Sequence, residues 1–273
     1  MTESAAGLVT IDRGHLTELI KRERSLYRAN FPRSWEAYEA GAGHLLGGVP
    51  MTWMRMWAGG YPIFQAAASG ARLIDVDGNE FIDFCLGDTG AMAGHSPVAV
   101  QHALNRRYGE AGGATTMLPT EDAGWVAAEL TRRFGVTRWS FTLTATDANR
   151  WALRLARQIT GRPKILVFSY CYHGSVDESF IVASREGPLP RPGDVGPPVD
   201  PRETTRVVEF NDLEALQQEL AYGDVAAVLM EPALTNIGIV LPAAGYLEAV
   251  RAVTTQYGTL LINDETHTFS AGP

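Results

Sequence analysis

Lysine is nearly missing from this chain. Lys21 and Lys164 are the only two among 273 residues, and the rest of the positive charge is arginine. Any chemistry that needs a primary amine therefore has two candidates. Cysteine is as scarce: Cys85 and Cys171 are too few for a disulfide framework and too isolated for a metal site, which fits a reducing cytoplasm. No apolar stretch approaches the ~18 residues of a membrane span. The N-terminus carries Glu3 and Asp12 without an apolar segment, so it does not read as a signal peptide. A net charge of -8 without any Lys/Arg run argues against nucleic-acid binding. Neither G-x-G-x-x-G nor G-x-x-x-x-G-K-[ST] occurs, so the phosphate turns of common nucleotide sites are missing. Hydrophobic content of 45% with 20% charged residues is ordinary for a globular protein, and the length suits one large domain, or a large one and a small one.

The pattern along the chain supplies the rest. Residues 12–29 read as an amphipathic helix with Leu16, Leu19, Ile20, Leu26 and Tyr27 on one face, stopped by Asn30-Phe31-Pro32. Residues 41–62 are rich in Gly, Met and Trp and read as irregular. Ala71 to Val76 and Phe81 to Phe84 flank Asp77-Gly78-Asn79, a hairpin signal. From about residue 97 helix and strand alternate. Trp139 to Leu143 reads as a strand. Ala148, Trp151, Ala152, Leu155, Ala156 and Ile159 mark a helix ended by Gly161 and Pro163. Ile165 to Phe168 is the next strand. Residues 186–202 hold six prolines and read as a long surface loop. Val207-Val208 precedes a short helix through Leu213, Leu216 and Leu220. Val225 to Met230 is a strand, Tyr246 to Tyr257 a helix, and the run to Ile262 a last strand. Apolar strands without alternation, separated by helices, mean an α/β fold: a mostly parallel sheet covered by helices on both faces.

The groups that follow the strands carry the chemistry. Thr142 to Ala148 delivers small hydroxyl residues to a helix start, with Thr144 and Asp147 in a capping-box pattern. Such a start is a well-capped helix, and its free N–H groups also make it a ready anion site. Tyr170-Cys171-Tyr172-His173-Gly174 follows the next strand and is either core or a stacking surface for a flat ligand. Glu231-Pro232 and Asp264-Glu265 follow two more. A lone acid at a strand end is more often a cap than a catalyst. Four such groups at successive strand ends converge in space, where open α/β sheets bind ligands. Together they suit a planar, phosphorylated, cationic ring: the helix start takes the phosphate, Tyr172 covers a face, and Asp264 keeps a ring nitrogen protonated. Pyridoxal phosphate fits that description better than a nucleotide does.

At this point the chain resembles the class III aminotransferases, fold type I pyridoxal-phosphate enzymes, and most of all the branch that includes glutamate-1-semialdehyde aminomutase. The resemblance runs from about Pro62 onward. Its carriers are Gly70 to Gly78, Gly94-His95-Ser96-Pro97, Asp147-Ala148-Asn149 with Ala152 to Arg157, Thr160-Gly161-Arg162, Tyr172-His173-Gly174, Glu231-Pro232 and Asp264-Glu265. Their order and spacing carry more than any one of them.

What the resemblance implies is specific. Residues 1–90 would be the helix, irregular stretch and hairpin of a partial small domain, and 91–273 the large cofactor-binding domain, incomplete at its C-terminus. Thr144, Ala145 and Thr146 fall on the phosphate loop, Tyr172 with His173 on the stacking aromatic, and Asn236 on an Asn near the ring hydroxyl. Asp264 falls on the pyridinium-binding acid, with Glu231 beside it as the second catalytic candidate. Thr266 replaces a hydrophobic residue of the opposite ring face. His267 replaces the Gln or Met that commonly follows, where it serves the ring hydroxyl or the substrate. Ala145 stands where Gly is usual, so a positive φ there would force the loop to adjust. The Schiff-base lysine of the family lies a few dozen residues past the Asp-Glu pair, beyond Pro273, so the expectation is a truncated or fragmentary transaminase. The intact relatives pair a small amino donor with a keto or aldehyde acceptor, as homodimers. An aminomutase, a non-catalytic partner subunit and, last, a nucleotide-binding domain are the competing readings.

Overall fold

Asp12 opens the first helix, α1 (Arg13–Asn30), by accepting the His15 backbone N–H. The computed structural model describes residues 11–113, 117–193 and 200–271. Two compact units divide the chain, Met1–Thr115 and Thr116–Pro273. The N-terminal residues that bear on a signal peptide, and 194–199 of the proline-rich stretch, lie outside the described residues.

In the first unit Phe31 ends α1 and caps a second helix, α2 (Pro32–Ala42), which the sequence reading lacked. Asn30-Phe31-Pro32 ends α1 as expected, and Pro32 also occupies the first turn of α2, where a missing N–H costs nothing. The helix start is held by Asp77, whose carboxylate accepts the N–H groups of Arg33 at 2.7 Å and Ser34 at 3.0 Å. Of the stretch 41–62, residues 41 and 42 close α2 and the rest is irregular apart from short 3-10 turns at Leu46–Gly48 and Thr52–Met56. β1 (Gln65–Ser69), β2 (Arg72–Asp75) and β3 (Glu80–Ile82) form an antiparallel sheet, so the expected hairpin gains a third strand. α3 (Val98–Asn105) follows.

The second unit begins with α4 (Glu121–Phe134) and then departs from expectation. Trp139 to Leu143 is not a strand. Its backbone pairs with no ladder among the described residues, and Phe141 and Leu143 lie exposed. An apolar run becomes a strand only where a neighbour takes its N–H and C=O groups. α5 (Ala145–Thr160) follows, capped by Thr144 and closed by Gly161 in the left-handed region. Next come β4 (Lys164–Phe168), the short pair β5 (Ile181–Val182) and β6 (Leu189–Pro190), and α6 (Pro201–Thr204). β7 (Thr205–Val208), α7 (Leu213–Leu220), β8 (Val225–Met230), α8 (Tyr246–Gln256) and β9 (Leu260–Asn263) complete the unit.

The large sheet has the order β7-β4-β8-β9, and every pairing is parallel. All six residues of β8 are buried. Successive side chains point to opposite faces, so both faces are covered. α5 packs against β8, while α7 and α8 pack on each other and against β7 and β9. One core joins Ile165 to Phe168 with Val228, Leu229, Leu216, Leu220 and Val250. The expected apolar face of α5 is placed differently. Asn149, Leu153 and Ala156 are buried, with Ala156 against Ala226 and Ala227, while Trp151, Leu155 and Ile159 lie exposed. Alanine against alanine lets helix and sheet approach closely, and the bulky residues are turned away. At the far end of the sheet Arg162 Nη1 gathers the carbonyls of Val225, Tyr257 and Gly258. No helix of the described residues is long and apolar enough to cross a membrane.

Candidate functional site

The chain leaves β4 toward β7 on one side and leaves the adjacent β8 toward β9 on the other, so the connections after these two neighbours diverge and open a crevice at the strand ends. A cavity of about 180 Å³ lies there, lined by residues that include Thr144, Ala145, Thr146, Tyr172, Glu231, Asp264, Thr266 and His267. The structure thus gathers most of the residues singled out in the sequence. His173 is not on the wall; it is buried and bonded to Asp264. Asn236 is not on the wall either: it lies in the loop after β8, bridged to Gly238.

The phosphate-loop candidate is the first turn of α5. Thr144 Oγ1 accepts the Asp147 N–H at 3.1 Å, and the Thr144 carbonyl accepts the Ala148 N–H. The amides of Ala145 and Thr146 precede these and have no intrahelical acceptor. Ala145 has no positive φ, so the replacement of Gly there introduces no strain. The 172–175 loop closes against this turn. Ser175 N–H donates to Thr146 Oγ1 at 3.1 Å, and Arg150 donates to the Ser175 carbonyl at 2.8 Å. Gly174 makes the approach possible: with φ of +70°, a Cβ there would stand 2.0 Å from Thr146 Oγ1. Tyr170, at φ 61°, turns the chain out of β4, a costly conformation for a bulky residue.

The other wall is built around Asp264, which extends β9 by donating its N–H to the Met230 carbonyl at 2.7 Å. Its Oδ2 accepts from Asn149 Nδ2 and from His173 Nδ1, each at 2.8 Å. Its Oδ1 accepts from the Thr266 N–H at 3.1 Å and from Thr266 Oγ1 at 2.6 Å. Burial alone would push this carboxyl up; the bonds from His173, Thr266 and Asn149 outweigh it and hold the group well below the usual carboxylate range. Burial likewise works against a charged His173, yet the bond to Asp264, helped by neighbouring Cys171, leaves it pushed up to about 9. His173 Nε2 is buried with no hydrogen-bond partner among the described residues, which adds to the cost of burying this ring. The carboxylate on its other side offsets that cost, and upward is the direction the geometry supports. The site is therefore a buried ion pair with its negative member on the cavity wall.

Glu231 has a different character. Its Oε1 accepts the Tyr172 N–H at 2.9 Å, and its Oε2 accepts the N–H and hydroxyl of Thr235 at 3.1 and 2.8 Å. Both oxygens hold backbone loops in place. Tyr172 itself is half exposed at the mouth. The sequence reading assigned no role to Asn149, Gly174, Ala233 or Thr268, although all four belong to the site or its wall. For Asn149 a signal existed: a lone amide shares the inner face of α5 with Leu153 and Ala156. The donor set suits a phosphorylated pyridinium, because free amides at one end and a low-pKa carboxylate at the other match its two charges.

The class-III aminotransferase family model matches residues 54–271. The chain belongs to this family. Among curated relatives, the glutamate-1-semialdehyde 2,1-aminomutase of Methanosphaera stadtmanae is 37% identical over 237 residues, 85% of this chain and 55% of that protein. Among solved structures, a glutamate-1-semialdehyde-aminomutase from Pseudomonas aeruginosa is 48% identical with a TM-score of 0.90, over 96% of this chain and 58% of that one. A lysine-to-alanine variant of it was solved in complex with PMP. An omega-transaminase from Sphaerobacter thermophilus matches with a TM-score of 0.78 and 30% identity, over 85% of this chain and 54% of that one. The fold is accordingly that of the fold type I aminotransferases. The chain spans about half the length of the curated relatives it matches, 55% of the first of them.

Proposed function

We propose that this chain is the cofactor-holding part of a pyridoxal-5'-phosphate-dependent aminotransferase, which passes an amino group from a small amino donor to a keto or aldehyde acceptor. One observation carries the reading: a single cavity holds the buried Asp264 carboxylate and the open N-terminus of α5. When bound, the cofactor supplies an electron sink for the carbon that bears the amino group. The chain's own residues bind and orient it. The Ala145 and Thr146 amides would hold the phosphate, aided by the helix dipole. Asp264 would meet the ring nitrogen, and its low proton affinity would leave the proton there. His173 and Asn149 fix the carboxylate, Tyr172 covers the open face, and Glu231 positions Tyr172.

Neither lysine stands at this cavity. Lys164 begins β4 and lies 3.5 Å from Asp224; Lys21 is exposed on α1, 2.8 Å from Glu18. Within these residues no lysine is placed to link a cofactor at this cavity.

Titration of the purified chain with pyridoxal phosphate and pyridoxamine phosphate tests the proposal. Saturable binding is expected, weakened at least tenfold or so in Asp264→Asn by loss of a charge-assisted hydrogen bond. Borohydride should fix no cofactor at one defined lysine. Absence of saturable binding, or stoichiometric trapping at Lys164, overturns the reading. The aminomutase reaction, in which the amino group moves within one molecule, is supported at least as well, because relatives at 37% and 48% identity carry that name. Product analysis on a chain of the relatives' length separates the two: isomerisation of an amino aldehyde without a second substrate marks the aminomutase.

A further inference from the structure

A carboxylate offers about four acceptor positions, and those of Asp264 are filled. Asn149 and His173 take Oδ2; the N–H and hydroxyl of Thr266 take Oδ1. Three of these donors are fixed in place. Asn149 and His173 are buried side chains, and the Thr266 N–H belongs to the backbone. Thr266 Oγ1 differs: its residue is exposed on the cavity wall, and a turn about one bond releases it.

We infer that Thr266 is a positioning residue for Asp264, whose hydroxyl holds the acceptor position that a ring N–H in the cavity requires and must give it up on binding. The inference rests on the reading of the cavity as a cofactor site and deepens it. The resemblance leads one to expect a hydrophobic side chain here, which has no hydroxyl to compete. Thr266 therefore makes the hold on a protonated ring nitrogen weaker than the same acid alone would, and keeps the carboxylate plane fixed through Oδ1.

The test is equilibrium binding of pyridoxamine phosphate, which needs no lysine, to the 273-residue chain and three variants. Thr266→Val and Thr266→Ala delete the hydroxyl; Thr266→Ser keeps it. Both deletions should bind roughly five- to tenfold tighter than wild type, the weight of one ordinary hydrogen bond. The Ser variant should stay within about twofold. A second readout needs no ligand. With one donor fewer, Asp264 draws harder on His173, so the imidazole should titrate at higher pH in the Val and Ala variants and unchanged in Ser, by NMR. Tightening in Val alone would reveal packing and overturn the inference, as would equal affinities throughout or an unmoved His173. Failure of the wild type to bind pyridoxamine phosphate refutes the cofactor reading and this inference with it. A wild type that binds beside unresponsive variants refutes the role of Thr266 only.

Discussion

The His173–Asp264 pair permits a prediction with its size attached. His173 is pushed up from 6.5 to about 9, against the burial that would lower it. At about 1.4 kcal/mol per tenfold change in proton affinity, the rise corresponds to about 3 kcal/mol of stability held by the charged pair. Because the folded value of His173 lies above the unfolded one, this stability is complete below pH 6.5 and is lost as the pH climbs through about 9. Asp264 is depressed below its ordinary 3.8, so the same pair weakens again only as the pH falls beneath that value. The two statements describe one interaction and are counted once. Asp264→Asn removes the charge and leaves the burial, so His173 should then titrate below 6.5. Imidazole NMR over pH 5–10, with His173→Gln to assign the resonance, measures both values. Denaturant unfolding of the wild type should lose about 3 kcal/mol between pH 6.5 and 9 relative to the Asn variant. A wild-type His173 that titrates at or below 6.5, or parallel stability curves for the two proteins, would refute the reasoning.

Other outcomes follow from single contacts. Gly174→Ala forces a Cβ to 2.0 Å from Thr146 Oγ1 at a left-handed φ. It should cost about 2–4 kcal/mol in unfolding experiments, and adding Thr146→Ala should restore part of it. Glu231→Gln turns an amide N–H toward the Tyr172 or Thr235 N–H; a loss of about 2 kcal/mol and faster amide exchange at Tyr172 are expected. Arg162→Met leaves the carbonyls of Val225, Tyr257 and Gly258 without their shared donor and should cost about 2–3 kcal/mol, with the site's affinity for pyridoxamine phosphate little changed because Arg162 sits at the opposite end of the sheet.

Much of this was legible from local pattern. The caps of α5 at Thr144 and Gly161, the strands ending at Phe168 and Met230, and the acid after Ile262 all follow from residue type and spacing. Errors arose where a segment's fate depends on a neighbour. Trp139 to Leu143 has the composition of a strand but no ladder partner among the described residues, and the exposure of Trp151, Leu155 and Ile159 depends on which side of α5 meets β8. Periodicity identifies an apolar stripe; it does not choose between two apolar sides of one helix. Pro32 ends α1 as its residue type indicates, but the same ring also starts α2, which the stop signal alone does not reveal.

The sequence by itself determined which chemical groups reach the strand ends, because hydrophobic runs and helix caps are short-range properties of the chain. Only the tertiary structure decided what those groups do to one another. Asn149 and Asp264 are 115 positions apart, and 91 separate His173 from Asp264. No local rule couples residues at such distances. The parallel order of β4, β8 and β9 brings them within 2.8 Å, and the hydrogen bonds made at that distance outweigh burial and hold Asp264 as an anion facing the cavity.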